Sequence, residues 1–153
     1  MTKSAERRKL AAIVSADVQG YSRLMGDDEN ATVETITAYR AVFDKVVQRY
    51  GGRIVNAPGD SVLAEFPSVV DAVSGAVDTQ AHLAAENAKL PKSRQMIFRI
   101  GVNLGDMIEK EGDIYGDGVN IAARVESLAE GGGICISGPV FDQVRKKPDY
   151  GFA

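Results

Sequence analysis

Apolar residues follow two kinds of spacing along the chain, and this spacing predicts its secondary structure. Leu10 to Val18 (LAAIVSADV) is an almost unbroken apolar run followed by turn residues, which predicts a buried strand. From Glu29 to Tyr50 the apolar residues recur every three or four positions, which predicts a helix ended by Gly51-Gly52. The expected inward face of this helix comprises Val33, Ile36, Phe43, Val46, Val47 and Tyr50.

The middle of the chain predicts a β-hairpin followed by a second long helix. Two short apolar segments, 53–57 and 61–66, flank the turn residues Pro58-Gly59-Asp60, as in a hairpin. Ser68 and Asp71 have the spacing of a capping box and predict the start of a helix. Its expected inward face comprises Val69, Val73, Ala76, Val77, Gln80 and Leu83.

The remaining elements complete an α+β pattern. Residues 96–104 alternate and predict a strand that continues through 107–108, followed by a charged turn. A helix is expected over 115–128, a short strand over 134–137 and a short helix over 140–146. This order predicts a ferredoxin-like βαββαβ core, with a mainly antiparallel sheet and helices packed on one of its faces.

Length and composition limit the classes of function. The 153 residues suit one domain, covering 1–153. A formal charge of −3 argues against a nucleic-acid binder. No apolar run approaches the roughly 18 residues that cross a bilayer, so no membrane contact by this segment is expected. The single cysteine, Cys135, excludes an internal disulfide and suits a cytoplasmic location.

Two aspartates are candidate metal ligands. Asp17 ends the first apolar strand, and Asp60 lies at the tip of the predicted hairpin. In a ferredoxin-like sheet these elements are neighbours, so the two carboxylates are expected to converge on hard cations such as Mg²⁺. The competing interpretation is that Asp17 caps the following helix and Asp60 serves only its turn.

Two further segments are candidates for nucleotide contacts. A helix start follows Asp17, and its free N–H groups suit a polyphosphate. The residues concerned are Val18, Gln19, Gly20, Tyr21 and Ser22. Asn120 and Arg124 are four apart on a predicted helix and share a face, an arrangement suited to orienting a sugar and neutralising phosphate charge. The alternative is a solvated arginine beside an ordinary polar position.

Taken together, these segments resemble the class III adenylyl and guanylyl cyclase family over about residues 10–144. The resemblance rests on four stretches in the family's order and spacing: AAIVSADVQGYSRLM, GGRIVNAPGDSVLAEFPSVVDAV, RIGVNLGDMI and GDIYGDGVNIAARVESLAEGGGICIS. It implies conversion of ATP to 3′,5′-cyclic AMP and pyrophosphate in intracellular signalling.

The resemblance also implies a role for each candidate residue. Asp17 and Asp60 correspond to the aspartates that hold two Mg²⁺ or Mn²⁺ ions, and Asp113 to the residue that reads the adenine amine. Asn120 corresponds to the residue that orients the ribose, and Arg124 to the one that stabilises the transition state. In this family one subunit supplies the metal aspartates and the other supplies the remaining groups, which implies a homodimer with shared active sites.

Two features depart from the family pattern. Adenylyl cyclases usually carry a lysine four residues before the second metal aspartate, where this chain has Asn56. The Asn56 amide can donate to adenine N1 while Asp113 accepts from the amine, so the pair still favours ATP over GTP. The resemblance further implies that the domain lacks the family's C-terminal hairpin, and that sensor or effector domains can be fused outside this segment. A guanylyl cyclase and a catalytically silent, dimerising nucleotide-binding module remain the alternatives.

Overall fold

The structure is a computed structural model that describes residues 6–146. The order of elements within this range is β1 (Glu6–Val18), α1 (Tyr21–Asp27), α2 (Glu29–Arg49), β2 (Arg53–Asn56), β3 (Ser61–Phe66), α3 (Val69–Asn87), a 3-10 helix (Lys92–Arg94), β4 (Phe98–Lys110), β5 (Asp113–Tyr115), α4 (Asp117–Ser127), β6 (Ile134–Ile136) and α5 (Gly138–Val144). The expected absence of the family's C-terminal hairpin concerns the chain beyond residue 146, outside the described residues.

The strands form one sheet in the order β2-β3-β1-β4-β5, with β6 added to β4. All neighbours along this path are antiparallel, and only the β4–β6 pair is parallel. The central strand β1 pairs along its whole length with β4, from Glu6 opposite Lys110 to Val18 opposite Phe98. This pairing explains why β1 begins four residues before the apolar run, and the mainly antiparallel α+β fold is confirmed.

The helices cover both faces of the sheet, so the prediction that they pack on one face is wrong. Even-numbered β1 residues such as Val14 join the larger hydrophobic cluster with α2, α3 and α5. Odd-numbered residues such as Ile13 join a smaller cluster that includes Ala122 of α4. Because β1 is buried on both faces, its sequence is continuously apolar rather than alternating, which is the signal in the sequence that a second layer covers the sheet.

Two residues assigned to inward helix faces are exposed instead. Val33 of α2 is 48% exposed and Val77 of α3 is 47% exposed. The buried face of α2 includes Thr32, whose hydroxyl donates to the Leu24 carbonyl at 2.8 Å. A polar side chain can occupy a core position when it is hydrogen-bonded in this way, so apolarity alone assigned Val33 to the inward face in place of Thr32.

The fourth helix begins later than its apolar pattern predicts. Tyr115 lies in β5, and Gly116 separates the strand from the helix with a φ of 114°. Only glycine adopts that backbone region readily. The turn lets the chain leave the sheet edge and cross onto the face on which α4 packs.

Candidate active site

The site is built around Asp17, at the end of the central strand. Asp17 faces Arg99 across the β1–β4 pair, and the guanidinium holds its carboxylate through three contacts of 3.1–3.2 Å. Both side chains are about one-quarter exposed, at 28% and 27%. This forked pairing fixes the orientation of the Asp17 carboxylate.

Glu126 of α4 lies over the same ion pair and was not identified from the sequence. It is 6% exposed, accepts from the Ser15 hydroxyl at 3.4 Å and lies 3.8 Å from an Arg99 nitrogen. Burial, and then the neighbouring charge of Asp17, raise the pKa of Glu126 to about 7. Its position four residues after the buried Ala122 is the sequence signal that it faces the sheet.

Asp60 lies at the same end of the sheet as Asp17. It immediately precedes Ser61, which is the Cα partner of Asp17 in the β1–β3 pair. Its turn is closed by a backbone bond from Ser61 N to the Pro58 carbonyl at 2.9 Å. Two carboxylates are thereby carried to one sheet end by adjacent strands.

The donor set fits a hard divalent cation shared with a phosphate ligand. Within residues 6–146, no group of three or more His, Cys, Asp or Glu side chains comes together as a metal cluster. Mg²⁺ typically uses one or two carboxylates and completes its shell with water and substrate phosphates. Asp17 and Asp60 meet this requirement with oxygen ligands of the right kind.

The segment after Asp17 forms a tight corner. Gln19 N donates to the Ile97 carbonyl at 2.8 Å, and Gly20 precedes α1 with a φ of 70°. Gly20 is the N-cap residue and no side chain caps this helix. The Asp17 carboxylate therefore pairs with Arg99 and does not cap α1.

Glycines bring α4 directly onto β4. A Cβ added to Gly101 would lie 2.6 Å from the Glu126 Cα, and one added to Gly118 would lie 2.5 Å from the Asp106 carbonyl oxygen. The buried Asn103 side chain donates to the Gly118 carbonyl at 2.9 Å. This close packing fixes α4 and its side chains on the sheet.

Asn120 and Arg124 project from the opposite side of α4. The residues of this helix that are buried are Gly118, Ala122 and Glu126, whereas Asn120 and Arg124 are both exposed. A helix turns about 100° per residue, so positions 120 and 124 each lie about 160° from Ala122. Within one chain, these two side chains point away from the sheet that carries Asp17.

A β-bulge sets the position of Asn56. Ile54 pairs with Ala64, but Asn56 pairs with Leu63, so Val55 is the extra residue. Leu63 and Val55 both pack with the smaller cluster on the α4 side of the sheet. Bulges re-aim side chains, and this one places the exposed Asn56 opposite a residue of that face.

Asp113 opens the short strand β5, which also contacts β2. One oxygen of its carboxylate accepts from the Ile114 N–H at 2.8 Å. The strands that carry Asn56 and Asp113 are therefore in contact, although β2 and β5 stand at opposite ends of the strand order.

Comparisons with known proteins agree with this arrangement. The profile of the family described as "Adenylate and Guanylate cyclase catalytic domain" matches residues 4–152. This chain belongs to that family. "Putative adenylate cyclase 3" of Rhizobium meliloti (strain 1021) is 44% identical over 99% of the chain, and the "Adenylate cyclase" of Streptomyces coelicolor is 30% identical over 77% of it.

The solved structures give the same fold for the cyclase domain. The "Adenylate/Guanylate Cyclase/Hydrolase from Silicibacter pomeroyi" superposes with a TM-score of 0.90 and 35% identity, covering 97% of this chain and 87% of that one. The matched regions make up 26% and 30% of the two curated relatives. Among the described residues, no helix is long and apolar enough to cross a membrane.

Proposed function

We propose that this cyclase domain converts ATP to 3′,5′-cyclic AMP and pyrophosphate at sites shared between two copies of the chain. The observation that carries the proposal is the division of the candidate groups within one chain. Asp17 lies near the end of β1 and Asp60 lies in the turn just before the adjacent strand β3, while Asn120 and Arg124 point outward from α4. A head-to-tail pair of chains supplies each site with both sets, as two-fold symmetry requires.

The outer side of α4 supports the dimer. Beside Asn120 and Arg124 it carries exposed apolar residues, with Ile121 39% and Leu128 76% exposed. Tyr115, just before the helix, is 52% exposed. Apolar side chains grouped around functional polar residues are typical of a surface that a partner covers.

Each side chain has a defined role in this mechanism. Asp17 and Asp60 would hold two divalent cations, and Arg99 orients Asp17. Bound there, the cations would supply Lewis-acid stabilisation of the negative charge on the ribose 3′-oxygen and the triphosphate. Asn120 of the partner subunit orients the ribose so that its 3′-oxygen attacks the α-phosphorus. A bond forms between these two atoms while the bond from the α-phosphorus to the pyrophosphate oxygen breaks, the 3′-hydroxyl proton passes to solvent, and the partner's Arg124 neutralises the developing charge.

The base-reading pair supports ATP as substrate. A carboxylate such as that of Asp113 only accepts hydrogen bonds, which suits the adenine amine and opposes the guanine O6. The Asn56 amide can donate to adenine N1 but carries no charge, so discrimination against GTP is expected to be modest. Two relatives of this domain bear the name adenylate cyclase, one of them as "putative".

A turnover assay tests the proposal. The purified chain is incubated with Mg²⁺ or Mn²⁺ and either ATP or GTP, and the cyclic product is quantified. We expect cyclic AMP as the main product, and a loss of at least about 100-fold in Asp17→Asn. The matched control is Asp142→Asn, which changes an exposed residue of α5 and should retain activity.

The other outcomes select between the alternatives. Faster turnover of GTP identifies a guanylyl cyclase. A dimer that turns over neither nucleotide identifies a silent binding module. Equal activity in Asp17→Asn and the wild type contradicts the assignment of Asp17.

A further inference from the structure

Arg53 joins three parts of the sheet through one guanidinium group. Its Nε donates to Glu65 of β3 at 2.6 Å, and one terminal nitrogen donates to Glu109 of β4 at 2.8 Å. The other terminal nitrogen donates to the Gly112 carbonyl, in the β4–β5 turn, at 3.0 Å. Arg53 itself lies on β2, so the side chain ties β2 to both the neighbouring strand and the distant hairpin.

These connections run between the two strands that carry the proposed base-reading residues. Asn56 lies three residues after Arg53 on β2, and Asp113 directly follows Gly112. The β5 strand is only three residues long, and its turn contains Glu111 and Gly112 at φ values of 54° and 83°. The three residues of β5 pair with β4, and the Arg53 contact adds a further bond to the turn that precedes this short strand.

Other cationic side chains lie near the two carboxylates that Arg53 binds. Lys9 also pairs with Glu65 at 3.1 Å and lies 3.7 Å from Glu109, and Arg7 lies 3.6 Å from Glu109. The carboxylates therefore keep cationic neighbours when Arg53 is replaced. A lysine at position 53 preserves the charge but lacks the planar fork that reaches three acceptors at once.

We propose that Arg53 is a positioning residue that sets the spacing between Asn56 and Asp113 and thereby the purine selectivity of the site. This inference rests on the proposed function, because it assigns those two residues to the base. Arg53 acts through the strands and does not itself contact the nucleotide. Hydrogen-bonding groups discriminate strongly between purines only when their positions are fixed.

The test compares Arg53→Lys with the wild type in the cyclisation of ATP and GTP. We expect the ATP-to-GTP ratio of kcat/KM to fall about five- to tenfold, the value of roughly one well-placed hydrogen bond. The change should lie in KM for ATP, with kcat altered by less than about twofold, because the metal and phosphate groups are on other elements. Hydrogen exchange at residues 111–115 should accelerate in the same variant.

Arg49→Lys is the matched control. Arg49 ends α2 and pairs with Asp78 of α3 at 3.2 Å, on the other face of the sheet. This variant should leave the selectivity ratio unchanged. Glu109→Gln weakens one of the three contacts of Arg53. It should lower the ATP-to-GTP ratio of kcat/KM by a smaller factor. This variant provides a second measurement if Arg53→Lys folds poorly.

The result that overturns the inference is distinct from the failure of the proposed function. If Arg53 serves only stability, kcat falls for both purines with the active fraction while KM and the ratio remain unchanged. A wild-type chain without turnover contradicts the proposed function instead. In that case unaltered hydrogen exchange at residues 111–115 in Arg53→Lys still overturns the positioning role.

Discussion

Asp17, Arg99 and Glu126 form a compact charge cluster in which two carboxylates share one guanidinium. Arg99 is bonded to Asp17 at 3.1 Å and lies 3.8 Å from Glu126. Glu126 is more deeply buried than Asp17, so the cost of desolvating a second negative charge falls mainly on Glu126. The proton of this cluster is therefore retained on Glu126.

The raised pKa of Glu126 predicts a specific pH dependence of stability. Because the pKa is about 7 in the folded chain and 4.5 when unperturbed, the unfolded state loses its proton first as pH rises. Stability should therefore fall between about pH 4.5 and pH 7, by about 3 kcal/mol for this group. Glu126→Gln should remove this contribution, as measured by denaturant unfolding of the metal-free protein across that range.

Glu130→Gln is the control for this measurement, since Glu130 is exposed. It should retain the pH dependence of the wild type. If Glu126→Gln shows the same pH dependence as Glu130→Gln, Glu126 is ionised in the folded protein and its assigned protonation state is wrong.

At the scale of elements, the position of α4 depends on the absence of side chains between helix and strand. Gly101 is buried beneath Glu126, and a Cβ at this position overlaps the helix backbone rather than a mobile side-chain end. Backbone overlap cannot be relieved by a rotamer change, so the helix must move away from β4. The same movement displaces Asn120 and Arg124.

Gly101→Ala should therefore lower both stability and activity. We expect a loss of about 1–3 kcal/mol in the free energy of unfolding, which is typical of overpacking, measured by denaturant titration. Gly26→Ala is the control, because Gly26 lies in α1 with no atom within 4 Å of the added Cβ. That variant should be neutral or slightly stabilising, and equal effects in the two variants would contradict the close packing of α4 on β4.

The sequence predicts the order and type of these elements better than the face of the sheet on which each helix packs. The apolar run from Leu10 and the turn at Pro58-Gly59-Asp60 act locally, and both elements formed where expected. The placement of α4 on the second face depends on Gly101 and Gly118, whose roles emerge only when distant segments pack together. A single sequence carries no signal for that contact.

The candidate site was likewise only partly predictable from the sequence. Its charged residues were identified through their motifs, and the structure adds the register that sets Asp17 opposite Ser61 and Arg99. Glu126 and Arg53 were missed because each resembles an ordinary surface charge in the sequence. Their contacts come from residues 27 or more positions away for Glu126 and 12 or more for Arg53.

At the scale of the whole molecule, the proposed site is divided into two halves within one chain. The carboxylates lie at one end of the sheet, and the outward face of α4 carries Asn120 and Arg124, the groups proposed to contact ribose and phosphate. Complementary half-sites of this kind are completed twice in a symmetric dimer. An isolated monomer is therefore expected to be inactive.

Mixing two inactive variants is the most direct measurement of this shared site. Asp17→Ala and Arg124→Ala should each lose at least about 100-fold in cyclic AMP formation when assayed alone. After equal amounts are mixed and allowed to exchange subunits, the mixed dimers should restore about a quarter of the wild-type rate, because half of the dimers then carry one intact site of two. A mixture that stays inactive while mixed dimers are demonstrably present would contradict the shared active site.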